Sequence, residues 1–422
     1  MNHFTYSDGL LRAEGVSLDE IASAVGTPFY AYSHATLERH FLVFDRAFRR
    51  LPHITCYSCK ANTNIALLRL MARLGAGADI VSGGELSAAL RASIPADKIV
   101  FSGVGKTEDE LAYAIRSGIV MINIESEGEL RVIEDLGRRM GKEVPVSVRV
   151  NPEIDAGTHP YITTGLRKNK FGVLWSEGRR LYDEIKKAKH LVPVGISSHI
   201  GSQIVEIPPF VDAMRSLKGM VAELGAAGVK LTYIDIGGGL GITYKNELPP
   251  HPEEYARAIE AELEGTGLTV VLEPGRVIVG NGGIFVTRLL YVKTTPDKTF
   301  YIVDGAMNDL VRPALYGAYH EIIPVREEKA RKIKVDVVGP VCESGDFLAK
   351  DRKLPNLVPG SLMAIMGAGA YGFSMSSNYN SRPRVAEVLV KGDRFFVIRK
   401  RESYEDLLRG MEIPEFLEDS HG

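Results

Sequence analysis

Four places in this chain put a reactive side chain where its surroundings would sharpen it. Lys60 lies in Y-S-C-K-A-N (Tyr57–Asn62), at the end of an apolar run of strand length. A lysine partly desolvated at a strand end has a lowered pKa and favours Schiff-base chemistry, although a lysine snorkelling to solvent has the same local sequence. Gly237-Gly238-Gly239-Leu240-Gly241 follows the apolar run Tyr233–Ile236. Glycines at a strand-to-helix turn either converge backbone N–H groups on a phosphate or merely make a tight turn. Glu273-Pro274-Gly275-Arg276 closes another apolar run. A carboxylate there can pair with a protonated ring nitrogen and the arginine can bind an oxyanion, or the two can bridge each other. His199, in S-H-I-G-S-Q (Ser198–Gln203), offers an imidazole for stacking on a planar cofactor, for proton transfer or for a core hydrogen bond.

Three further groups are weaker. Cys342-Glu343 sits in G-P-V-C-E-S-G-D, where glycine and proline suggest a loop presenting polar groups, although a free cysteine is more often buried and inert. Arg312 and Tyr316, in R-P-A-L-Y, form a candidate carboxylate grip. Gly369-Ala370-Tyr371-Gly372 is a glycine-flanked tyrosine suited to reaching a phosphate or a ring. Two patterns are set aside. Cys56 and Cys59 form a C-x-x-C on a strand, where residues three apart face opposite ways. Gly103-Val104-Gly105-Lys106-Thr107 imitates the tail of a Walker A loop but has Val100 where the first glycine is needed.

The elements that must hold these residues alternate. Apolar strand-length runs at Ile54–Ser58, Ala78–Val81, Ile99–Ser102, Met121–Ile124, Val144–Val150, Val192–Ser197, Tyr233–Ile236 and Thr269–Leu272 are separated by helical periodicity, as in Asn64–Leu74 or Glu127–Met140. Eight βα units in about 250 residues predict a (β/α)8 barrel, with an open doubly wound sheet as the alternative. Functional groups of such a barrel cluster where strands end. Here those positions are Lys60, Ser82, Gly103, Glu125, Arg149, His199, Gly237–Gly239 and Glu273, a set too polar for a purely structural rim. The remaining segments read as β. Phe4–Leu10 turns at Asp8-Gly9, Ser17 caps a helix through Val25, and strands recur from Ile284 to Lys400 with a turn at Lys391-Gly392-Asp393. The expected layout is α/β, with a barrel over 36–283 and a second, mostly antiparallel β domain from 1–35 and 284–422. The long loop Asn151–Phe171 could be a lid, a dimer contact or a passive insertion.

Composition narrows the partners. With 51 Lys+Arg against 53 Asp+Glu the net charge is −2, which leaves no electrostatic footprint for nucleic acid or an anionic membrane. No apolar run approaches the roughly 18 residues of a transmembrane helix. The N-terminus has neither the basic nor the apolar region of a signal peptide. Three cysteines in 422 residues fit a reducing compartment. A cytoplasmic protein acting on a small molecule is expected, with no metal site.

An imine-forming lysine, a phosphate nest, a stacking histidine and a carboxylate for a ring nitrogen together describe a site for pyridoxal 5′-phosphate. The carboxylate keeps the ring a strong electron sink, which suits decarboxylation better than racemisation. The motifs above, in this order along the chain, resemble those of the diaminopimelate decarboxylases, fold-type III pyridoxal-phosphate enzymes on the alanine racemase-like barrel. The resemblance implies decarboxylation of meso-2,6-diaminopimelate to L-lysine, the last step of lysine biosynthesis. It implies that Lys60 carries the cofactor, that His199 stacks on its ring and that Glu273 pairs with the ring nitrogen. Ser202, Gly237, Gly238, Gly239, Pro274, Gly275, Arg276 and Tyr371 would form the rest of the cofactor site. Arg276, Arg312 and Tyr316 would grip the distal carboxylate, with Tyr371 beside the substrate, and Glu343 would take the distal ammonium. Cys342 would protonate the product carbanion from the partner subunit of a homodimer. Same-fold decarboxylases of ornithine, arginine or carboxynorspermidine are the nearest alternative, but their substrates lack the distal carboxylate that two arginines would bind. An amino-acid racemase or a silent cofactor-binding regulator fits Glu273 and Cys342 less well.

Overall fold

The computed structural model describes residues 2–154 and 170–417. Of the loop Asn151–Phe171, residues 155–169 lie outside the described residues, and the expectations placed on that loop fall there. The chain divides into two compact units.

The first unit, built chiefly from Ser33–Gly283, is a closed, all-parallel eight-stranded barrel. Its strands are β1 His53–Ser58, β2 Gly77–Ile80, β3 Ile99–Phe101, β4 Met121–Ile124, β5 Val144–Arg149, β6 Leu191–Ser197, β7 Tyr233–Asp235 and β8 Thr269–Leu272. The eight apolar runs read from the sequence are these eight strands. The ring closes where β8 pairs with β1 (Leu272 opposite Thr55). Each of β1 to β7 is followed by a helix, and β8 by the single turn Arg276–Val279. Caps fix where those helices begin. Ser82, Thr107 and Ser126 each accept a hydrogen bond from the backbone three residues on, which satisfies an otherwise orphaned N–H and sets the exit of the preceding loop. The barrel interior is packed by side chains such as Cys56, Val100, Met121 and Val271.

The barrel unit also takes in Gly367–Ser374, which the sequence reading had grouped with the β domain. Backbone bonds explain the difference. Gly369 N–H donates to Gly280 O and Tyr371 N–H to Ala61 O. A Cβ on Gly369 would lie 2.0 Å from Val279 O, so only glycine permits this approach.

The second unit comprises Phe4–Tyr32, Ile284–Met366 and Met375–Gly422. Its nine-stranded sheet is mostly antiparallel and includes the parallel pair Thr299–Val303 beside Lys332–Val338. Two of its strands, Ile322–Pro324 and Phe347–Pro355, carry too many charges or prolines to read as strands from the sequence. The N-terminal strands belong here. Leu11, Leu18 and Phe29 share a core with Ile284, Val286 and Val388, which buries their apolar faces away from water. Among the described residues no helix is long and apolar enough to cross a membrane, and no group of His, Cys, Asp or Glu could hold a metal ion.

Candidate active site

The strand ends of the barrel unit surround two adjoining cavities that share Lys60, His199 and Glu273. One is lined by glycines, Ser202, Arg276 and Tyr371. The other, of about 480 Å³, is lined by polar groups from β3 to β7.

Lys60 sits just beyond β1, on the single 3-10 turn Cys59–Ala61. Its Nζ donates to Asp79 Oδ2 at 2.8 Å, and Ser58 Oγ donates to the same oxygen at 2.6 Å. The lysine side chain is 33% exposed and the aspartate 0%. This corrects the expected lowering of the lysine pKa. Burial does push it down, but Asp79, Glu273 and Tyr371 push it up further, and the net direction is upward. Asp79, inside the apolar strand β2, therefore holds Lys60 in its ammonium form.

The glycine run after β7 is a backbone cradle. A Cβ on Gly238 would lie 2.1 Å from Glu273 O, and one on Gly239 2.6 Å from Gly201 O. Gly237 has φ 65°, in the left-handed region that glycine reaches without strain. Gly238 N–H donates to His199 Nδ1 at 3.2 Å. That bond makes Nδ1 an acceptor and places the ring proton on Nε2. Burial lowers the His199 pKa well below its usual value, and the charges of Lys60 and Arg149 lower it further, so the ring is neutral. The loop after β6 is laced to the cradle by Ile204 N–H to Gly239 O and Gly241 N–H to Ile204 O.

Arg276 is buried. Its two terminal nitrogens donate to Tyr244 Oη at 2.8 Å and to Ser202 Oγ at 3.0 Å, and the guanidinium lies 4.9 Å from the Tyr371 ring centre. Tyr371 is held at φ 56°, a conformation a tyrosine rarely adopts, by the Ala61 contact described above. Arginine, serine and an N–H cradle form a concentrated anion site. A Cβ on Gly275 would lie 3.0 Å from Ser58 Cβ and 3.1 Å from Ala61 Cβ. Pro274 O accepts the Ser58 N–H, tying β8 to β1.

Glu273 is buried and accepts from Ser102 Oγ at 3.3 Å. Burial raises its pKa well above the carboxylate range, and Asp235 and Asp79 add to this while Lys60 and Arg149 oppose it. Asp235, fixed by Asn123 Nδ2 and Gly237 N–H, is itself pushed up to about 6, chiefly by burial. Three buried carboxylates thus crowd this floor, and a cationic ring beside Glu273 would relieve them. Ser197 Oγ, Ser198 Oγ and Asn123 Oδ1 are buried with no hydrogen-bond partner among the described residues. An amine, a carboxylate, a backbone cradle that a Cβ would fill and unsatisfied polar atoms fit pyridoxal phosphate.

The other predicted residues lie in the second unit. Arg312 is buried, with Nη1 2.9 Å from His320 Nε2, while His320 Nδ1 lies 2.9 Å from Met366 O. Arginine can only donate and a carbonyl only accept, so His320 carries its proton on Nδ1 and presents Nε2 to Arg312. Tyr316 ends the same short helix, Arg312–Tyr316. Cys342 and Glu343 are exposed on a loop pinned by Asp346, which accepts from Met307 N–H and Val341 N–H, and Cys342 N–H donates to Asn380 Oδ1. Cys342 is therefore not the buried structural thiol; Cys56 and Cys59 are, with burial raising both thiol pKa values well above normal. The Walker-like lysine is accounted for too. Lys106 Nζ donates to Gly103 O in its own loop, to Asn123 O in β4 and to Glu129 Oε1 on the helix that follows, which uses all three donors.

Sequence reasoning missed Asp79, Asp235, Asn123 and Ser102. Their signal was a lone polar residue inside an otherwise apolar barrel strand or at its end.

Comparison with known proteins gives a consistent outcome. The family described as "Pyridoxal-dependent decarboxylase, pyridoxal binding domain" matches residues 34–280. The diaminopimelate decarboxylase of Pseudomonas aeruginosa is 48% identical over 410 residues, covering 97% of this chain and 99% of that protein. That of Aquifex aeolicus is 47% identical over 404 residues, covering 96% of each. Among solved structures, diaminopimelate decarboxylase from Helicobacter pylori complexed with L-lysine superposes with a TM-score of 0.90 at 44% identity, covering 93% of this chain and 98% of that one.

Proposed function

Because the chain belongs to the diaminopimelate decarboxylases, pyridoxal-phosphate-dependent lyases that convert meso-2,6-diaminopimelate to L-lysine and carbon dioxide, we propose the following roles for its residues. The observation that carries them is the convergence of Lys60, Glu273, His199 and the Gly237–Gly239 cradle on one pocket of the barrel unit. Lys60 holds the cofactor through Nζ. The proton that Nζ must shed before it can bond carbon has Asp79 Oδ2, 2.8 Å away, as its acceptor. Arg276, Ser202, Gly275, Tyr371 and the cradle amides bind the phosphate. Neutral His199 would lie against the ring face of the bound cofactor and add no competing charge. Glu273 would pair with its ring nitrogen, with Pro274 tying the end of β8 to β1. When bound, pyridoxal phosphate supplies the electron sink that accepts the pair left by the departing carboxylate.

Arg276, Arg312 and Tyr316 take the distal carboxylate of the substrate beside Tyr371, and Glu343 takes its distal ammonium. Cys342 delivers a proton from Sγ to the carbon that lost carbon dioxide. A thiol and a carboxylate exposed on a pinned loop suit presentation to a second copy, so the working enzyme is a homodimer with shared sites, in the cytoplasm where a free thiol persists. One panel tests the substrate reading. Supplied separately with meso-diaminopimelate, ornithine, arginine, lysine and carboxynorspermidine, the holoenzyme releases carbon dioxide from diaminopimelate. Faster release from any of the others overturns the reading.

A further inference from the structure

Glu125 has no role in the roles given above, yet it is a buried carboxylate of the barrel unit that accepts three hydrogen bonds. It follows β4, and its side chain is 1% exposed. Oε1 accepts from Gly103 N–H at 2.8 Å and from Arg149 Nη1 at 2.9 Å, and Oε2 accepts from Gly172 N–H at 2.9 Å. Its own N–H donates to Glu129 Oε2, whose other oxygen holds Lys106. One carboxylate therefore fastens the loop after β3, the end of β5 and the return of the chain toward the next helix. Glu125 does not line the 480 Å³ cavity, but Gly103, Arg149 and Phe171 do.

Arg149 is the group on which this arrangement bears. It is 7% exposed, ends β5, and lies with its guanidinium 4.9 Å from the Phe171 ring centre. Its Nε and Nη2 make no hydrogen bond among the described residues. A buried guanidinium with one edge fixed on Glu125, one face on an aromatic ring and further donors at a polar cavity is preorganised for an anion. Released from Glu125, it would have Glu273 and Asp235 in the same cavity as alternative partners.

We propose that Glu125 is a positioning residue, which holds Arg149 at the wall of the cavity it shares with Lys60 so that the guanidinium receives the carboxylate that departs as carbon dioxide, not the distal one. The proposal rests on the reading that this cavity takes diaminopimelate. Preorganisation of a charged hydrogen bond is expected to matter by about tenfold in affinity.

A double-variant cycle tests it on the holoenzyme. Glu125→Gln and Arg149→Met should each raise KM for diaminopimelate about tenfold, while binding of the product L-lysine, which lacks the departing carboxylate, should stay unchanged by calorimetry. Bound cofactor, counted from absorbance, should stay near one per chain. The combined variant should be no worse than Arg149→Met alone, because Glu125 acts through Arg149. If the two effects multiply, if Arg149→Met leaves KM unchanged, or if it weakens lysine binding as much as it raises KM, the inference is overturned. If Glu125→Gln does not fold, Glu125→Asp keeps the charge but is one methylene too short for all three partners, and enters the same cycle. Absence of carbon dioxide release from diaminopimelate by the parent enzyme would instead refute the substrate reading beneath it.

Discussion

Replacing Gly238 with alanine isolates the close packing of the cradle from every other property of a glycine. Gly238 is not among the glycines with positive φ, so alanine can adopt its backbone conformation. The only obstacle is space. The added Cβ would lie 2.1 Å from Glu273 O and 3.0 Å from Glu273 C, and real Cβ atoms do not approach closer than 3.0 Å. The atom in the way is backbone, so it cannot swing aside as a long side chain would. Either the glycine loop or the end of β8 must move by most of an ångström. Overpacking of this kind costs about 1–3 kcal/mol. The displaced groups are the ones proposed to hold the cofactor, so a comparable loss is expected in cofactor affinity, roughly ten- to a hundredfold. Titration of the cofactor-free enzyme with pyridoxal phosphate, followed by absorbance, reads that loss directly. The midpoint of thermal unfolding should fall as well. Gly219→Ala is the control, because it removes a glycine from helix Pro208–Ala226 where a Cβ meets nothing within 4 Å. It should stabilise by up to about 1 kcal/mol. If Gly238→Ala binds cofactor as tightly as the parent and melts at the same temperature, the cradle has room the structure denies, and the argument fails.

Three further outcomes are expected. Lys60→Ala should abolish cofactor trapping by borohydride, and recovery of label on another lysine would remove Lys60 from its role. Cys342→Ala should slow turnover by at least tenfold while cofactor content stays constant; loss of cofactor instead would show that the thiol is structural. Glu85 is pushed up to about 7, first by burial and then by Asp79, against Val81 N–H and Lys60. The folded state then binds more protons than the unfolded state between about pH 4.5 and 7, so this group makes stability fall as pH rises through that window. Glu85→Gln keeps the acceptor for Val81 N–H and removes the titration. Relative to the parent it should gain about 1–2 kcal/mol on going from pH 4.5 to pH 8, after allowance for partial exposure. A difference in unfolding midpoint that does not change with pH would contradict this.

The barrel was readable because its strands are buried on both faces and therefore appear as unbroken apolar runs, each followed by a capped helix. Ser17, read as a helix cap, is one in the structure. The strands Ile322–Pro324 and Phe347–Pro355 were not readable, because their places in the sheet come from pairing with distant strands, not from their own pattern. The glycine-flanked Tyr371 was seen as a ligand-reaching residue, but its return to the barrel unit depends on Gly280 and Ala61, more than 80 residues away along the chain.

The carboxylates were misjudged for a different reason. The sequence reading weighed residues at strand ends, where loops begin, and passed over acids within strands. Yet Asp79 in G-A-D-I and Asp235 in Y-I-D occupy the interior of a barrel with little water to solvate them. An ionised carboxylate there is costly unless cations or hydrogen-bond donors meet it. Asp79 meets Lys60 and Ser58, and Asp235 meets Asn123 and the Gly237 N–H. A lone acid in an apolar barrel strand thus predicts a donor at the same depth on a neighbouring strand. Applied to β2, that rule selects the end of β1, which carries Lys60. It also reverses the expected sign of the Lys60 shift, since the lysine that burial would have neutralised is kept charged by the acid the strand pattern concealed. A barrel strand's single polar residue therefore says as much about the neighbouring strand's chemistry as about its own.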